Sequence, residues 1–267
     1  MKKGKLIGRG MTAEVYEWGP DKVLKLYYHR IGEEWIKQEA RIGMAVHEAG
    51  VPSPTVFEII DLDGRKGVIF QKISGSTMLM HFITEPWNLN HYAKQLADLQ
   101  FRIHQFSANN LPSQQEKYEF RIKCSAKILG DKEQLIIDYL KSLPDGNSVC
   151  HGDLHFNNII ISGNNPVPID WTNAYQGNPM SDLARTYLMM TSPAKPPLIP
   201  DVVTMPMQYV KWSSYRAYLN EYLMLSGASS KDIDAWILPT AAAKLKDRMP
   251  GEEKWLMGII NRRIMLL

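Results

Sequence analysis

The chain has 267 residues, of which 45% are hydrophobic and 22% charged, and its formal net charge is +3. At roughly 150 residues per domain, this length allows one large domain or two smaller ones, and the composition excludes collagen-like, low-complexity and mostly disordered chains. Because Lys and Arg are spread along the sequence rather than clustered, we expect no nucleic-acid partner.

Strand patterns with a single helix among them dominate the first 75 residues. Alternating apolar residues bounded by Gly, Pro and Asp predict strands, whereas apolar residues three and four positions apart predict a helix. The predicted strands span residues 6–10, 13–18, 22–28, 56–60 and 67–73, and the predicted helix spans residues 33–49. Five strands and one helix indicate a small, compact unit.

From about residue 90 the pattern changes to helices. The predicted helices span residues 91–106, 120–129, 132–143, 179–190, 208–225, 233–243 and 252–265, with a strand-rich segment at 149–170. Residues 192–206 contain five prolines, which predicts a loop. A boundary near Ser74–Ser76 separates the strand-rich part of the chain from the helical part.

The strongest local signal is the segment His151–Asn158, with the sequence HGDLHFNN, which precedes a short apolar run and then Asp170. An Asp and an Asn five positions apart on a loop, followed by a β-run and a second Asp, are typical of phosphoryl transfer. Asp153 can take the proton from an attacking hydroxyl, while Asn158 and Asp170 bind Mg²⁺ on the nucleotide phosphates. The alternative is that Asp153 and Asn158 only shape a turn. The length of the combined motif favours the catalytic interpretation.

The segments HGDLHFNNIII and PIDWTNA, with the SDLA that follows, resemble the aminoglycoside phosphotransferase and choline kinase family. The resemblance covers essentially the whole chain. It implies an α+β, two-lobed, protein-kinase-like fold, with a small antiparallel-sheet N-terminal lobe containing one helix and a larger, mainly helical C-terminal lobe. The nucleotide-binding lobe would span 1–75 with a hinge near 71–75, and residues 76–267 would carry the catalytic loop, the metal site and the acceptor site. Asp182, in SDLA, is implied to accept backbone N–H bonds from the catalytic loop.

Gly8 and Gly10 lie in a segment that is similar to the kinase Gly-rich loop, with Ala13 where a third glycine often stands. Glycines at such positions let backbone N–H groups approach nucleotide phosphates. Two glycines between strands are by themselves more typical of a hairpin. A dinucleotide-binding interpretation fails because a strand, not a helix, continues after the last glycine.

Lys25 lies on an alternating strand whose neighbouring leucines share the opposite face. A lone strand lysine is usually exposed, but downstream of the glycine loop we expect Lys25 to contact the α- and β-phosphates. Its orienting partner should be a helix glutamate. Glu39 matches the family's position best, although Glu33, Glu34 and Glu48 lie on the same helix or at its ends.

Residues 68–75, VIFQKISG, resemble the hinge that follows the fifth strand of that fold. By this resemblance Phe70 forms the back wall of the adenine pocket, and the carbonyl of Gln71 and the N–H of Ile73 pair with the adenine edge. A plain edge strand is the alternative. Backbone contacts do not distinguish ATP from GTP.

His151 and His155 have a spacing that would suit two zinc ligands on a helix. The loop context and the lack of a third ligand at a recognisable spacing argue against a zinc site. We expect His151 to pack and hydrogen-bond within the catalytic loop, and His104 to be structural.

Two cysteines, Cys124 and Cys150, are too few for a disulfide framework or a zinc cluster. We expect both to be small buried side chains in a reducing compartment. No signal-peptide pattern and no apolar run of roughly 18 residues is present, which indicates a soluble, cytoplasmic protein without a membrane partner.

The sequence does not choose the phosphate acceptor. Aromatic side chains suit a quaternary ammonium; the candidates are Trp212, Tyr215, Tyr218, Tyr222, Trp236 and Trp255. Acidic side chains suit a polyamine antibiotic; the candidates are Glu116, Glu119, Glu221, Asp232, Asp234, Glu252 and Glu253. For most of these residues we expect the simpler role, with the aromatics in the core and the acids on the solvated surface.

The motifs together predict an ATP- and Mg²⁺-dependent phosphotransferase that moves the γ-phosphate to a hydroxyl of a small molecule. One alternative is a nucleotide-binding scaffold without catalysis, which the presence of every required polar residue disfavours. The other is a protein kinase. HGD in place of HRD, IDW in place of DFG and the lack of an Ala-Pro-Glu segment argue against it.

Overall fold

An antiparallel sheet and one helix form the N-terminal part of the structure, a computed structural model that describes residues 3–194 and 204–267. The strands are β1 Leu6–Arg9, β2 Ala13–Glu17, β3 Lys22–Tyr27, β4 Val56–Leu62 and β5 Arg65–Gln71, and the helix is α1 Glu33–Glu48. The strand order in the sheet is β1-β2-β3-β5-β4, so β3 lies at the centre.

The alternation of β3 divides its side chains between the two faces of the sheet. Leu24 and Leu26 pack with Trp18 and Ile69 in one apolar cluster, whereas Tyr27 packs with α1 in another. Each such buried aliphatic side chain contributes about 1.5–3 kcal/mol. Because side chains alternate along a strand, Lys25 shares the face of Tyr27 and is directed towards α1.

Helices with short strands between them make up the remainder of the described chain. The helices are α2 Met78–Thr84, α3 Leu89–Ile103, α4 Gln114–Lys123, α5 Ala126–Leu129, α6 Lys132–Ser142, α7 Pro179–Thr191, α8 Thr204–Ser226, α9 Ser230–Lys244 and α10 Glu253–Ile264. The strands are β6 Ser76–Thr77, β7 Ser148–Cys150, β8 Ile159–Ser162, β9 Asn165–Pro168 and β10 Tyr175–Gly177. They form a pair, β10-β7, and a three-stranded sheet, β6-β8-β9.

One large apolar cluster unites the helical part and holds the loops between its short strands in place. It contains the buried side chains of Leu96, Ile103, Tyr218, Tyr222 and Trp236. The predicted core role of the aromatic residues is therefore confirmed for Tyr218, Tyr222 and Trp236, whereas Trp212 is exposed. No helix of the described residues is both long and apolar enough to cross a bilayer.

The α+β class is as predicted, and the differences lie in the smaller elements. The sequence patterns do not predict α2, β6 or β10. They also predict one helix over 120–129, whereas the structure begins α4 at Gln114, ends it at Lys123 and forms a separate α5. Strands of two or three residues are too short to show alternation, and the first turn of α4 is polar. Most of the predicted loop 192–206 lies outside the described residues, but its last three residues are wrongly predicted, because α8 begins at Thr204.

Besides that for Trp212, two further expectations about burial were wrong. Cys150 is buried as expected, but Cys124 is exposed because it follows the last turn of α4 at the surface. Glu252, expected on the solvated surface, is buried and pairs with the ammonium of Lys244. A buried carboxylate persists in such a place because its partner compensates its charge.

Candidate active site

The loop between β7 and β8 carries Asp153 and Asn158, and its conformation depends on Gly152. Gly152 has a φ of +74°, and a Cβ there would lie 2.2 Å from the carbonyl oxygen of Asn173. Both the left-handed backbone and this close approach exclude any other residue without a shift of the loop. The chain turns sharply here, immediately before Asp153.

His151 is buried beneath this loop and bonds on both sides of its ring. Its Nε2 lies 3.1 Å from the carbonyl oxygen of Ile169, and its Nδ1 accepts the N–H of Asp153 at 3.3 Å. This pattern requires the proton on Nε2. Burial lowers the pKa of His151, which keeps the ring neutral. The side chain thus packs and hydrogen-bonds within the loop, as predicted.

Asp182, at the start of α7, holds the same loop through its backbone. Its carboxylate accepts the N–H of His151 at 3.1 Å and the N–H of Gly152 at 2.7 Å, as the family resemblance implies. His104 and Gln100 also contact the carboxylate, at 3.1 and 2.9 Å. Burial opposes ionisation of Asp182, but these hydrogen bonds outweigh it and lower its pKa to about 2. The buried carboxylate of Asp182 therefore fixes the backbone of this loop.

Asn158 is directed at Asp153 through its amide nitrogen. Its Nδ2 donates to the backbone oxygen of Asp153 at 3.0 Å and lies 3.5 Å from Oδ2 of the same residue. The amide oxygen of Asn158 accepts no hydrogen bond from the described residues. The Asp153 side chain is 27% exposed, so its carboxylate is within reach of a bound molecule.

Lys25 lies between two carboxylates that come from different parts of the chain. Its Nζ is 2.5 Å from Oε1 of Glu39 on α1 and 3.0 Å from Oδ1 of Asp170, which follows β9. Burial opposes the charge of Lys25, but Asp170 and Glu39 outweigh it and raise its pKa. Of the four glutamates considered from the sequence, Glu39 is therefore the one that contacts Lys25.

Asp170 occupies the left-handed region, with a φ of +62°. A non-glycine residue rarely adopts this conformation, and such outliers gather at functional sites. Thr172 stabilises it by donating to Oδ1 at 2.8 Å. Burial opposes ionisation of Asp170, but the adjacent Lys25 lowers its pKa, so the carboxylate is charged at neutral pH.

A backbone hydrogen bond joins the chain segments that carry the two predicted metal ligands, Asn158 and Asp170. The N–H of Ile169, the residue before Asp170, donates to the carbonyl of Asn158 at 2.9 Å. The amide oxygen of Asn158 and the second carboxylate oxygen of Asp170 are hard oxygen donors, which Mg²⁺ prefers. The donor chemistry of this pair therefore fits the metal that the motifs predict.

The glycine loop forms the hairpin between β1 and β2. Neither Gly8 nor Gly10 is left-handed, and a Cβ on either would meet its neighbours only at ordinary contact distances, 3.6 Å or more. The fold itself does not require glycine at either position.

The predicted hinge follows β5. Phe70 is half-buried against the cluster that includes Val56 and Ala40. The N–H of Gln71 donates to the carbonyl of Thr55 at 2.8 Å, whereas the N–H of Ile73 has no partner among the described residues. The backbone donor that the resemblance assigns to the adenine edge is thus unused.

Arg185 belongs to the site although the sequence reasoning missed it. Its Nε donates to the carbonyl of Gly152 at 3.1 Å, and its Nη2 lies 3.5 Å from Oδ1 of Asp153. Arg185 comes three residues after Asp182, one helical turn along α7, so both side chains face the loop. That spacing is the signal that could have identified it.

Comparisons with known proteins agree with this geometry. The profile of the phosphotransferase enzyme family matches residues 3–218. A search of curated protein sequences gives no match. The structure is similar to that of an aminoglycoside 3'-phosphotransferase of type VIII, with a TM-score of 0.61 and 15% identity over 90% of this chain and 91% of the other.

Two further solved structures have similar folds. One is a putative fructosamine-3-kinase from Haemophilus somnus, with a TM-score of 0.61 and 12% identity over 98% of this chain and 90% of the other. The other is the aminoglycoside phosphotransferase APH(2")-IIa in a complex with streptomycin and ATP, with a TM-score of 0.57 and 14% identity over 98% of this chain and 91% of the other. The predicted two-lobed, protein-kinase-like fold is confirmed.

Proposed function

The chain belongs to the phosphotransferase enzyme family, and we propose that it uses ATP and Mg²⁺ to transfer the γ-phosphate to a hydroxyl of a small molecule. The observation that carries this proposal is the convergence at Lys25. A lysine on β3, a glutamate on α1 and an aspartate beside the catalytic loop meet within 3.0 Å of one ammonium group. Phosphoryl transfer needs such a cation held next to the oxygen donors for a metal.

The nucleotide would bind between the sheet and the catalytic loop. Lys25, oriented by Glu39, would contact the α- and β-phosphates, and the backbone at Gly8 and Gly10 would cover them. Phe70, Gln71 and Ile73 would surround the adenine. The similar protein APH(2")-IIa forms a ternary complex with streptomycin and ATP, which supports a nucleotide as one of the two substrates.

Asn158 and Asp170 would hold the metal through their free side-chain oxygens. When bound, Mg²⁺ would neutralise charge on the phosphates, which otherwise repel a nucleophile. In that state Lys25 would share the Asp170 carboxylate with the metal, and its ammonium would also face the phosphate oxygens. The ion cluster around Lys25 therefore holds the lysine in place until a nucleotide arrives.

Asp153 would act as the base. Its carboxylate takes the proton from the acceptor hydroxyl as that oxygen forms a bond to the γ-phosphorus and the bond from phosphorus to the ADP oxygen breaks. Nη2 of Arg185 lies 3.5 Å from Oδ1 of Asp153 and orients this carboxylate. The fixed loop limits the movement of Asp153. The proton ends on Asp153 and leaves to solvent with the product.

Release of ADP over a panel of hydroxyl acceptors tests the proposal. The panel contains aminoglycosides, macrolides, choline, thiamine, sugars and homoserine, each with ATP and Mg²⁺. We expect ADP release that requires both an acceptor and Mg²⁺, that Asp153→Asn reduces about a hundredfold or more, and that the exposed-site control Asp138→Asn retains. ADP release that is independent of Asp153 and of any acceptor would contradict the proposal.

A further inference from the structure

Arg185 lies between two carboxylates and is much closer to one of them. Its Nη2 is 2.7 Å from Oδ2 of Asp247 and 3.5 Å from Oδ1 of Asp153. The shorter distance is typical of a strong charged contact, whereas the longer one is at the limit of a hydrogen bond. Among the described residues, no other carboxylate pairs with this guanidinium. The proposed base therefore faces a cation that another residue holds.

Asp247 is fixed in place at the end of α9. It is the last residue of the 3₁₀ turn Leu245–Asp247, which extends α9 and ends at the left-handed Arg248. Its Oδ1 pairs with Nη2 of Arg121 on α4. The Nε of Arg121 also donates to the carbonyl of Ala243 at 3.2 Å, which ties α4 to the same end of α9. Arg121 and Arg185 thus hold the two carboxylate oxygens of Asp247.

The pair of Arg185 and Asp247 is mostly removed from solvent. The two side chains are 10% and 22% exposed. Burial opposes ionisation of Asp247, but Arg185 and Arg121 outweigh it and lower its pKa to about 2. Burial likewise opposes the charge of Arg185, and Asp247 does more than Asp153 to raise the pKa of this guanidinium. Asp247 is therefore fully charged at neutral pH and is the stronger partner of Arg185.

Without the charge of Asp247, Asp153 would be the only carboxylate partner left to Arg185. A buried guanidinium without a partner is costly, so Arg185 would move onto Asp153. A close ion pair would occupy Oδ1 of Asp153 and turn the carboxylate away from an acceptor hydroxyl. The 3.5 Å contact of the present structure orients Asp153 without occupying it in this way.

We infer that Asp247 is a positioning residue for the proposed base, because by holding Arg185 it leaves the carboxylate of Asp153 available to the acceptor hydroxyl. This inference rests on the proposed function and adds to it a residue that acts through another. Asp247 lies outside residues 3–218, which the family profile matches. It reaches the site through the packing of α9 against α4 and α7.

Crystal structures of the wild type and of Asp247→Asn test the contact itself and need no acceptor. We expect the distance from Nη2 of Arg185 to Oδ1 of Asp153 to shorten in the variant from 3.5 Å to about 2.8 Å, the length of a strong charged contact. An unchanged distance would overturn the inference. Calorimetric titration of each protein with Mg²⁺ and a non-hydrolysable ATP analogue reports on the proposed function separately and shows that the variant is folded.

Single-turnover transfer of phosphate to an acceptor that the panel identifies measures the effect on the reaction. Asp247→Asn should lower this rate about tenfold to a hundredfold, the loss expected when a reacting group is displaced by about 1 Å. The affinity for the ATP analogue should be unchanged, because Asp247 pairs with Arg185 and Arg121 and with none of the proposed nucleotide ligands. Asp234→Asn is the matched control and should keep the wild-type rate, since it removes a carboxylate that pairs with Arg263 at 2.6 Å near the other end of α9.

A double-mutant cycle with Arg185→Gln shows whether Asp247 acts through Arg185. In the Arg185→Gln background, Asp247→Asn should cause no further loss of rate, because the group that Asp247 holds is already absent. Losses that multiply in the double variant would indicate a separate, structural effect and would overturn the inference. If Asp247→Asn alone does not fold, the double variant still supplies this comparison, because neither charge of the pair remains in it.

Failure of the inference and failure of the proposed function give different results. If the wild type binds no ATP analogue or transfers phosphate to no acceptor, the proposed function is contradicted. The crystallographic distance still decides in that case whether Asp247 holds Arg185 away from Asp153. If the wild type is active and Asp247→Asn keeps its rate, the inference alone is overturned.

Discussion

At the scale of single residues, the contacts of Lys25 connect the sheet to the catalytic loop. Glu39 is 4% exposed and approaches Lys25 to 2.5 Å, whereas the side chain of Asp170 is 44% exposed and can exchange partners. The buried carboxylate therefore orients the lysine permanently. Under the proposed function, the exposed carboxylate of Asp170 would bind a metal when a nucleotide binds.

Glu39→Gln should lower kcat/KM for ATP about tenfold to a hundredfold, because Lys25 loses a charged hydrogen-bond partner worth about 1.5–3 kcal/mol. Steady-state kinetics with varied ATP measure this change. Glu34→Gln is the matched control, since Glu34 lies on the same helix, is exposed and pairs only with Lys37 among the described residues. Equal losses in both variants would contradict the assignment of Glu39.

Asp153→Asn should reduce turnover by about a hundredfold to ten thousandfold, the usual contribution of a general base. Affinity for the ATP analogue should be nearly unchanged, because under the proposed function Asp153 faces the acceptor and not the nucleotide. Single-turnover assays and calorimetry on the same protein separate the two effects. Full turnover in the variant would remove Asp153 from the reaction.

Asp182 should make the stability of the protein depend on acid. Its pKa in the folded protein is lowered to about 2, so its ionised form contributes stability above about pH 4, and this contribution is lost as the pH falls towards 2. The stability difference between wild type and Asp182→Asn should therefore be largest above pH 5 and should shrink by pH 3. Urea unfolding at pH 3, 4, 5 and 6 measures it. A difference that is constant over this range would contradict the role given to the buried carboxylate.

At the scale of elements, the turn at Gly152 determines where Asp153 lies. Gly163, in the turn between β8 and β9, is also left-handed, but a Cβ there would meet nothing within 4 Å. The two glycines therefore share the conformational requirement and differ only in the close approach to Asn173.

Gly163→Ala should cost about 1–2 kcal/mol of stability, the penalty of a left-handed alanine. Gly152→Ala should cost clearly more and should also reduce turnover, because the loop must move away from the Asn173 carbonyl. Urea denaturation and ADP release measure the two effects. Similar losses of stability in both variants would show that the close approach has no energetic consequence.

Local patterns predict the long elements of this chain well and its short ones poorly. The alternation over Lys22–Tyr28 and the helical spacing over Glu33–Ala49 each specify an element to within one residue. The helix α2 combines exposed apolar residues, Met80 and Ile83, with only seven positions, so it has too little amphipathic pattern to be recognised. The two strands β6 and β10 exist only through pairing with distant segments.

The candidate site is likewise predictable from local sequence only in part. Asp153, Asn158 and Asp170 stand in a contiguous motif whose residue types indicate their chemistry. The ion pair between Arg121 and Asp247 could not be predicted, because the two residues are 126 positions apart and their pairing depends on how α4 packs against α9. Only Arg185, one turn beyond Asp182, left a local signal.

At the scale of the whole molecule, the two parts of the chain are incomplete without each other. Lys25 and Asp170 are 145 positions apart and come from the sheet and the helical part, yet they share one ion pair. A ligand whose anionic part binds Lys25 and whose cation binds Asp170 would therefore engage both parts at once. Mg²⁺ together with a nucleoside triphosphate has the charges for these two contacts.

Calorimetric titration of a non-hydrolysable ATP analogue, with and without Mg²⁺, tests this central claim most directly. Wild type should bind the analogue with a stoichiometry near one, and Mg²⁺ should strengthen the binding about tenfold or more. Asp170→Asn should lose most of this metal effect, because a carboxylate ligand becomes an amide. The claim is contradicted if the wild type does not bind the analogue. It is also contradicted if both proteins bind the analogue equally tightly with and without Mg²⁺.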